Sequence, residues 1–303
     1  MGTTVEITVV AADEAAGEAA IAEGFREVER LEQVFSSYRA DSELSVLNGK
    51  AGSGPVAASG DMVDLVSRAV AIARETGGAF NPLMGPAIKL WGIPEHPRVP
   101  SDGELAALRP LTDVAGVTVT PGDHTMALAR PGMALGLGGI AKGYTADRVA
   151  ALLKHHGISA GVVAVAGDLH VFGTRPDGRP WRVGVRHPRR ADRPMAALLL
   201  TDGAVSTSGD YERFFEVDGK RYHHILDPRT LRPADETVAV TVLARDGTTA
   251  DGLATALFVM GPKAGLGLVE RLPGVEALFA APDGRVTAST GWPEPVPSDL
   301  DRS

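Results

Sequence analysis

Ala134-Leu-Gly-Leu-Gly-Gly-Ile-Ala-Lys-Gly-Tyr144 reads as a passage from a strand into a helix that ends near Gly157. Glycines ahead of a helix let a backbone approach a phosphate, and the helix N-terminus adds partial positive charge. Lys142 could supply a full charge. The stretch is neither of the common nucleotide loops. No Gly-Lys-Ser/Thr ends it, as a Walker A loop requires. Gly136-x-Gly138-x-x-Ala141 ends in alanine, and no ribose-binding acid follows at the dinucleotide spacing. Taken alone, the passage reads more readily as a tight packing turn.

The flanking pattern sets the fold class. Thr3 to Val10 alternates like a strand, and Glu14 to Phe35 carries Ile21, Phe25, Val28 and Phe35 at helical spacing. Residues 35–48 are polar and loop-like. A second helix spans Gly60 to Glu75 with Ser59 as N-cap, and it stops at Gly77-Gly78. A Gly/Pro-rich loop from Ala79 to Pro86 leads to Trp91. Val117 to Leu128 reads as strand, turn, strand. Val162 to Val165 and Trp181 to Val185 read as strands joined through Gly167-Asp168. Val205 to Asp227 reads as a loop and then a hairpin turning at Asp218-Gly219. A strand from Val238 to Leu243, a helix from Thr248 to Met260 and another helix after Pro262 follow. Strands and helices mix without strict βαβ alternation, which predicts an α+β fold. With no internal repeat and no Pro/Ser linker, the expected organisation is one unit over residues 1–290 and a flexible tail over 291–303.

Composition narrows the chemistry. The 303 residues are 44% hydrophobic and 22% charged, ordinary for a globular chain. There is no cysteine, which excludes disulfides, thiolate metal sites and cysteine nucleophiles. Any metal must take oxygen or imidazole ligands, and oxygen favours Mg²⁺ or Ca²⁺. A net charge of −8 with no basic tract argues against nucleic acid, and Arg186-His187-Pro188-Arg189-Arg190 reads as a solvated loop. No apolar run reaches the roughly 20 residues of a membrane helix. The N-terminus shows no signal pattern, so a cytoplasmic location is expected of the chain as it stands, and export if a leader has been removed.

Three further constellations carry candidate chemistry. Asp251 and Thr255 are i and i+4 on a predicted helix, so both lie on one face. A carboxylate and a hydroxyl make a partial shell for a hard cation. On spacing alone the plainer reading is favoured: a first-turn acid beside a packed threonine. Thr207-Ser-Gly-Asp-Tyr211 precedes His223-His224-Ile-Leu-Asp227. A histidine there could act as a base near neutral pH, and only one of an adjacent pair in a strand can face a given site. Thr76-Gly-Gly-Ala-Phe-Asn-Pro82 could offer aromatic contact and amide hydrogen bonds to a ring, or be a turn.

Together with Met1-Gly-Thr3, Phe35-Ser-Ser-Tyr38, Ser42-Glu-Leu44, Leu47-Asn48 and Leu90-Trp-Gly92, these segments occur in one order. In that order the chain resembles the ApbE family of FAD:protein FMN transferases from Met1 to about Ala281. The resemblance implies an α+β fold with T-fold-like sheets and packed helices, with FAD as substrate in a cleft and Mg²⁺ at its pyrophosphate. It implies that Asp251, Thr255 and the Gly139 carbonyl hold the metal. Met1, Tyr38, Ala79, Phe80, Asn81, Gly136, Lys142, Ser208 and Leu226 fall at FAD-site positions, and His224 at the histidine tied to transfer. The implied reaction moves FMN from FAD to a Ser/Thr hydroxyl and releases AMP. The partner would be an acceptor protein with a Ser/Thr-Gly-Ala-Thr/Ser segment, which this chain itself lacks. Hydrolysis to FMN and AMP, or FAD binding without turnover, are the alternatives. Gly136 stands where the family commonly has aspartate, and Ala166-Gly167-Asp168 where Gly-Gly-Asp is usual.

Overall fold

The computed structural model describes residues 3–190 and 194–294. Met1 and most of the expected C-terminal tail fall outside them. In chain order the elements begin with β1 (Val5–Val10), α1 (Glu14–Phe35), α2 (Glu43–Gly49), β2 (Val56–Ala57) and α3 (Gly60–Glu75). Then come α4 (Gly85–Trp91), α5 (Asp102–Leu108), β3 (Val117–Thr120), β4 (Thr125–Leu128) and α6 (Ala141–His155). Next are β5 (Ala160–Val165), β6 (Asp168–Phe172), β7 (Trp181–Arg186), β8 (Pro194–Leu200), β9 (Asp202–Gly209), β10 (Phe214–Val217) and β11 (Lys220–His223). The chain closes with β12 (Leu226–Asp227), β13 (Arg232–Pro233), β14 (Ala239–Ala244), α7 (Gly247–Val269), β15 (Glu276–Ala280) and β16 (Val286–Ala288).

The frame is a seven-stranded sheet in the order β1-β5-β6-β9-β14-β15-β16, antiparallel at every pairing. An antiparallel sheet with helices on one face is the expected α+β layout. Helices α1, α6 and α7 pack on that face. Ala20, Val149 and Leu153 meet Val163, Val165 and Phe172 there, and Leu253, Ala254 and Leu257 meet Val240 and Val242. The β7–β8 hairpin covers the other face through Val183, Val185, Leu198 and Leu200. Helix α3 continues the core onto β3 and β4 through Met62, Val66, Met126 and Leu128. A satellite cluster around Trp91 ties α4 and α5 to the 214–233 region, and the Trp91 indole donates to the Leu231 carbonyl at 2.8 Å.

Local chemistry explains the helix limits. Asp13, Ser59 and Ser101 cap α1, α3 and α5, with side-chain oxygens accepting from Ala16, Met62 and Glu104 N–H groups. Two short helices occupy segments expected as loops. Ser42 caps α2, whose Leu44 and Leu47 supply only one turn of apolar pattern, too little to stand out among polar neighbours. Helix α4 begins with proline in its first turn, where a missing N–H costs nothing, and ends at Gly92 with φ 64°. Helix α7 merges the two expected final helices across a kink at Gly261, ahead of Pro262. Its length and composition would suit a membrane span, yet most of it is buried in the core.

Three sheet assignments differ from the sequence reading. Residues 134–137 form no strand; the Gly136 N–H instead donates to the Pro82 carbonyl at 2.7 Å. Residues 202–209 are a central strand, because Ser206 and Thr207 find partners inside the sheet. Asp168 opens a strand instead of linking two others. Ala166 and Gly167 are the two central residues of the β5–β6 turn, at φ 55° and 89°. A two-residue turn with both φ positive matches the twist of the strands it joins.

Alanine in the left-handed region costs about 1–2 kcal/mol, while glycine carries about 0.5–1 kcal/mol of extra chain entropy. Ala166→Gly should therefore raise unfolding stability by about 0.5–1 kcal/mol in a urea titration. A loss of stability would contradict this account of the turn.

Candidate functional site

Strand alternation puts Asp168, His170 and Phe172 on one face of β6, toward α6 and α7. Asp168 is 3% exposed. Its Oδ1 accepts from the Ser206 hydroxyl at 2.6 Å and the Thr207 N–H at 3.3 Å, and its Oδ2 lies 3.0 Å from Lys142 Nζ. Lys142 comes from the first turn of α6. Its ammonium also reaches Asp251 Oδ1 at 2.8 Å and the Gly138 carbonyl at 3.0 Å. The other Asp251 oxygen accepts from the Gly143 N–H at 3.1 Å.

These groups meet because α6 and α7 cross backbone to backbone. A Cβ on Gly143 would lie 1.9 Å from the Gly247 carbonyl oxygen, and one on Gly247 would lie 2.6 Å from the Gly143 carbonyl oxygen. One turn beyond Asp251, the Thr255 hydroxyl faces the Gly139 carbonyl at 3.5 Å. Asp251, Thr255 and Gly139 thus gather at one place.

Burial pushes the Asp251 carboxyl up to about 6, with the like charge of Asp168 adding, while Lys142 and the Gly143 N–H pull it back. Burial works against the Lys142 charge, but the two carboxylates outweigh it and hold the ammonium above its ordinary range. Two carboxylates and one ammonium leave one formal negative charge.

The donor set suits a hard cation. Among the described residues no three His, Cys, Asp or Glu side chains form a metal cluster. Two carboxylates, a hydroxyl and a main-chain carbonyl are nevertheless all oxygen donors, the preference of Mg²⁺, which commonly completes its shell with phosphate and water. Asp168 Oδ2 is buried and has no partner but the Lys142 ammonium at 3.0 Å, so it retains lone-pair capacity for such an ion.

His224 follows β11, and its ring Nδ1 lies 3.2 Å from the Arg213 carbonyl. That contact makes Nδ1 the protonated nitrogen and leaves a lone pair on Nε2. Burial lowers the ring to about 4, and the charges of Arg213 and Lys142 add to the shift. Its neighbour His223 is spent on structure. It is buried, Nε2 bonds the Ala234 carbonyl at 2.8 Å, and Nδ1 accepts from the Ile225 N–H at 3.3 Å. The two rings have separate partners, although His224 lies just past the strand and alternation within it does not apply.

The remaining expected residues are spread around this centre. Tyr38 is 61% exposed, and its hydroxyl accepts from Arg213 at 3.0 Å. Both line a cavity of about 340 Å³ with Ser36, Arg39, Pro94 and Glu95. Phe80 is in the core, and the Asn81 amide bridges the Thr112 carbonyl and the Leu83 N–H. Of the two readings of this segment, the turn is the one these contacts favour, since the Phe80 ring and the Asn81 amide are used within the fold. Leu226 is buried in the Trp91 cluster. Ser208 is half-buried in β9, on the face of Ser206. Gly136 packs against α4, where a Cβ would meet the Gly85 N–H nitrogen at 3.2 Å.

Two site residues escaped the sequence reading, Asp168 and Arg213. The Ala166-Gly167 turn was the available signal for Asp168, since it starts a strand and fixes which face that residue takes. The 186–190 loop is not simply solvated either, because Arg189 makes a bidentate pair with Asp210 at 2.7 and 2.6 Å.

Known proteins resemble this chain along most of its length. The ApbE family model matches residues 1–279. The FAD:protein FMN transferase of Treponema pallidum (strain Nichols) is 41% identical over 290 residues, 90% of this chain and 80% of that protein. The enzyme of the same name from Vibrio cholerae is 38% identical over 81% of this chain and 74% of its own. Among solved structures, the ApbE protein of Thermotoga maritima superposes with a TM-score of 0.89 at 34% identity, covering 95% of this chain and 94% of that one. The flavin transferase ApbE from Vibrio cholerae superposes with a TM-score of 0.85 at 35% identity, covering 96% and 94%. Fold, motif order and sequence agree: the chain belongs to the ApbE family.

Proposed function

We propose that this protein transfers FMN from FAD to a Ser/Thr hydroxyl of an acceptor protein and releases AMP, with Mg²⁺ as the metal. The observation that carries the reading is the oxygen cluster of Asp251 and Asp168 on the Lys142 ammonium, with the Thr255 hydroxyl and the Gly139 carbonyl one helical turn away. The names of its relatives supply the substrate.

Asp251, Thr255 and the Gly139 carbonyl would hold the ion, with Asp168 behind them. When bound, Mg²⁺ supplies neutralisation of the pyrophosphate charge. Lys142 is 28% exposed at its side chain, so its ammonium can also offer charge to a phosphate oxygen. His224 holds a proton on Nδ1 against the Arg213 carbonyl, and Nε2 takes the proton of the acceptor hydroxyl. The hydroxyl oxygen bonds to the FMN phosphorus, the bond to the AMP phosphate oxygen breaks, and AMP departs. The acceptor segment is of the Ser/Thr-Gly-Ala-Thr/Ser kind.

Incubation with FAD, Mg²⁺ and a protein bearing that segment should give a covalent FMN adduct by mass spectrometry and equimolar AMP. AMP without acceptor would indicate hydrolysis, and no AMP under any condition would refute the reading. Asp251→Ala should lower the rate by at least about 100-fold while circular dichroism stays native. His224→Gln should cost about 10²–10⁴-fold in transfer and leave FAD binding intact.

His224 also makes a pH prediction. Its folded value lies below the unfolded one, so the unfolded chain binds the extra proton between about 6.5 and 4. Its stabilising effect is full above that window and is lost as pH falls through it. Asp251 acts oppositely near 6, so the comparison must be a difference. From pH 7 to 4, wild type should lose more stability than His224→Gln. Parallel curves would show that the histidine is not held neutral.

A further inference from the structure

Asp147 lies on α6, one helical turn beyond Gly143, and its side chain is 16% exposed. Its carboxylate accepts four hydrogen bonds. Oδ1 takes the Gly247 N–H at 2.6 Å and faces His170 Nδ1 at 2.7 Å. Oδ2 takes the Thr248 N–H at 2.9 Å and the Thr248 hydroxyl at 2.6 Å. These fill the four acceptor positions of a carboxylate. Burial would raise its pKa, yet the His170 and Thr248 bonds outweigh this and hold it below the ordinary value.

The arrangement is unusual for a helix start. The first N–H groups of a helix need partners from outside its own ladder, commonly its N-cap side chain. In α7 the N-cap Asp246 reaches one main-chain N–H, that of Thr249 at 2.9 Å, and otherwise pairs with Arg68 and the Thr249 hydroxyl. The first two N–H groups are held by Asp147 from the neighbouring helix. His170 stands two residues along β6 from Asp168, on the same face, and fixes the Asp147 carboxylate from the sheet side. Sheet, α6 and the first turn of α7 are joined at one carboxylate. Asp251 is four residues beyond Gly247, and Thr255 is one turn further.

We propose that Asp147 and His170 are positioning residues for the cation site, setting the axial position of α7 and hence where Asp251 and Thr255 stand against the Gly139 carbonyl. This rests on the cation site proposed above. Residues that orient metal ligands commonly change metal affinity by about 10–100-fold when altered. The α6–α7 crossing has no side chain between its glycines to act as a stop, so the clamp supplies the register that contact alone does not.

The test is Mn²⁺ binding by the full chain, followed by electron paramagnetic resonance without FAD, beside thermal unfolding in chelator. Asp147→Asn should raise the Mn²⁺ Kd about 10-fold. Asp246→Ala removes the cap from the same helix end without touching α6, so it should lower the unfolding midpoint and leave the Kd unchanged. His170→Phe should weaken Mn²⁺ binding, and His170→Asn, which returns an N–H toward Asp147, should recover it. The His170 variants keep the carboxylate and carry the test if Asp147→Asn does not fold. A wild-type Kd in Asp147→Asn or His170→Phe, or Kd shifts that merely track stability through the Asp246 variant, would overturn the proposal. If the wild-type chain binds no Mn²⁺ while Asp147→Asn folds, the cation site itself is wrong and this inference falls with it.

Discussion

The site depends on one steric fact: helices α6 and α7 touch through their backbones. Gly143 and Gly247 face each other so closely that neither can carry a Cβ. The contact brings the first turn of α6 against the first turn and a half of α7, so that a main-chain N–H of one helix donates to a carboxylate of the other. Lys142 and Asp251 are 109 residues apart in sequence and meet only because of this crossing.

Buried charge then has to be balanced. Asp168 and Asp251 are 3% and 2% exposed, and both are close to Lys142. A buried carboxylate persists only with a counter-charge and hydrogen bonds, and here each receives both. The same proximity pushes the Asp251 carboxyl upward and holds the Lys142 ammonium charged. Under the proposed reading, a cation or a phosphate entering this centre would meet oxygen donors and an ammonium that are already largely desolvated.

The sheet supplies the floor. Strand β6 sends Asp168 and His170 toward the two helices, and β9 supports Asp168 through Ser206 and Thr207. Polar residues in mid-sheet made β9 read as a loop. The Ser206 and Thr207 hydroxyls are satisfied by Asp168 and by Thr241, partners that lie far along the chain and that no local pattern reports. The short helices α2 and α4 were missed for a different reason, since one or two turns give too few apolar repeats to register.

The sequence alone determined the α+β class, the limits of α1 and α3, the exclusion of thiolate ligands and the family. It did so because helical periodicity, capping residues and turn glycines are local, and because the ordered motifs resemble one family. It also placed Asp251 and Thr255 on one helical face, since i and i+4 spacing fixes that without any neighbour. Tertiary structure decided what stands opposite them. The Gly139 carbonyl, the Lys142 ammonium, Asp168 and the Asp147–His170 pair come from separate segments, brought together by the glycine-to-glycine crossing and by the pleat of β6. Charge balance and the position of α7 are properties of those long-range contacts, and a one-dimensional pattern has no term for them.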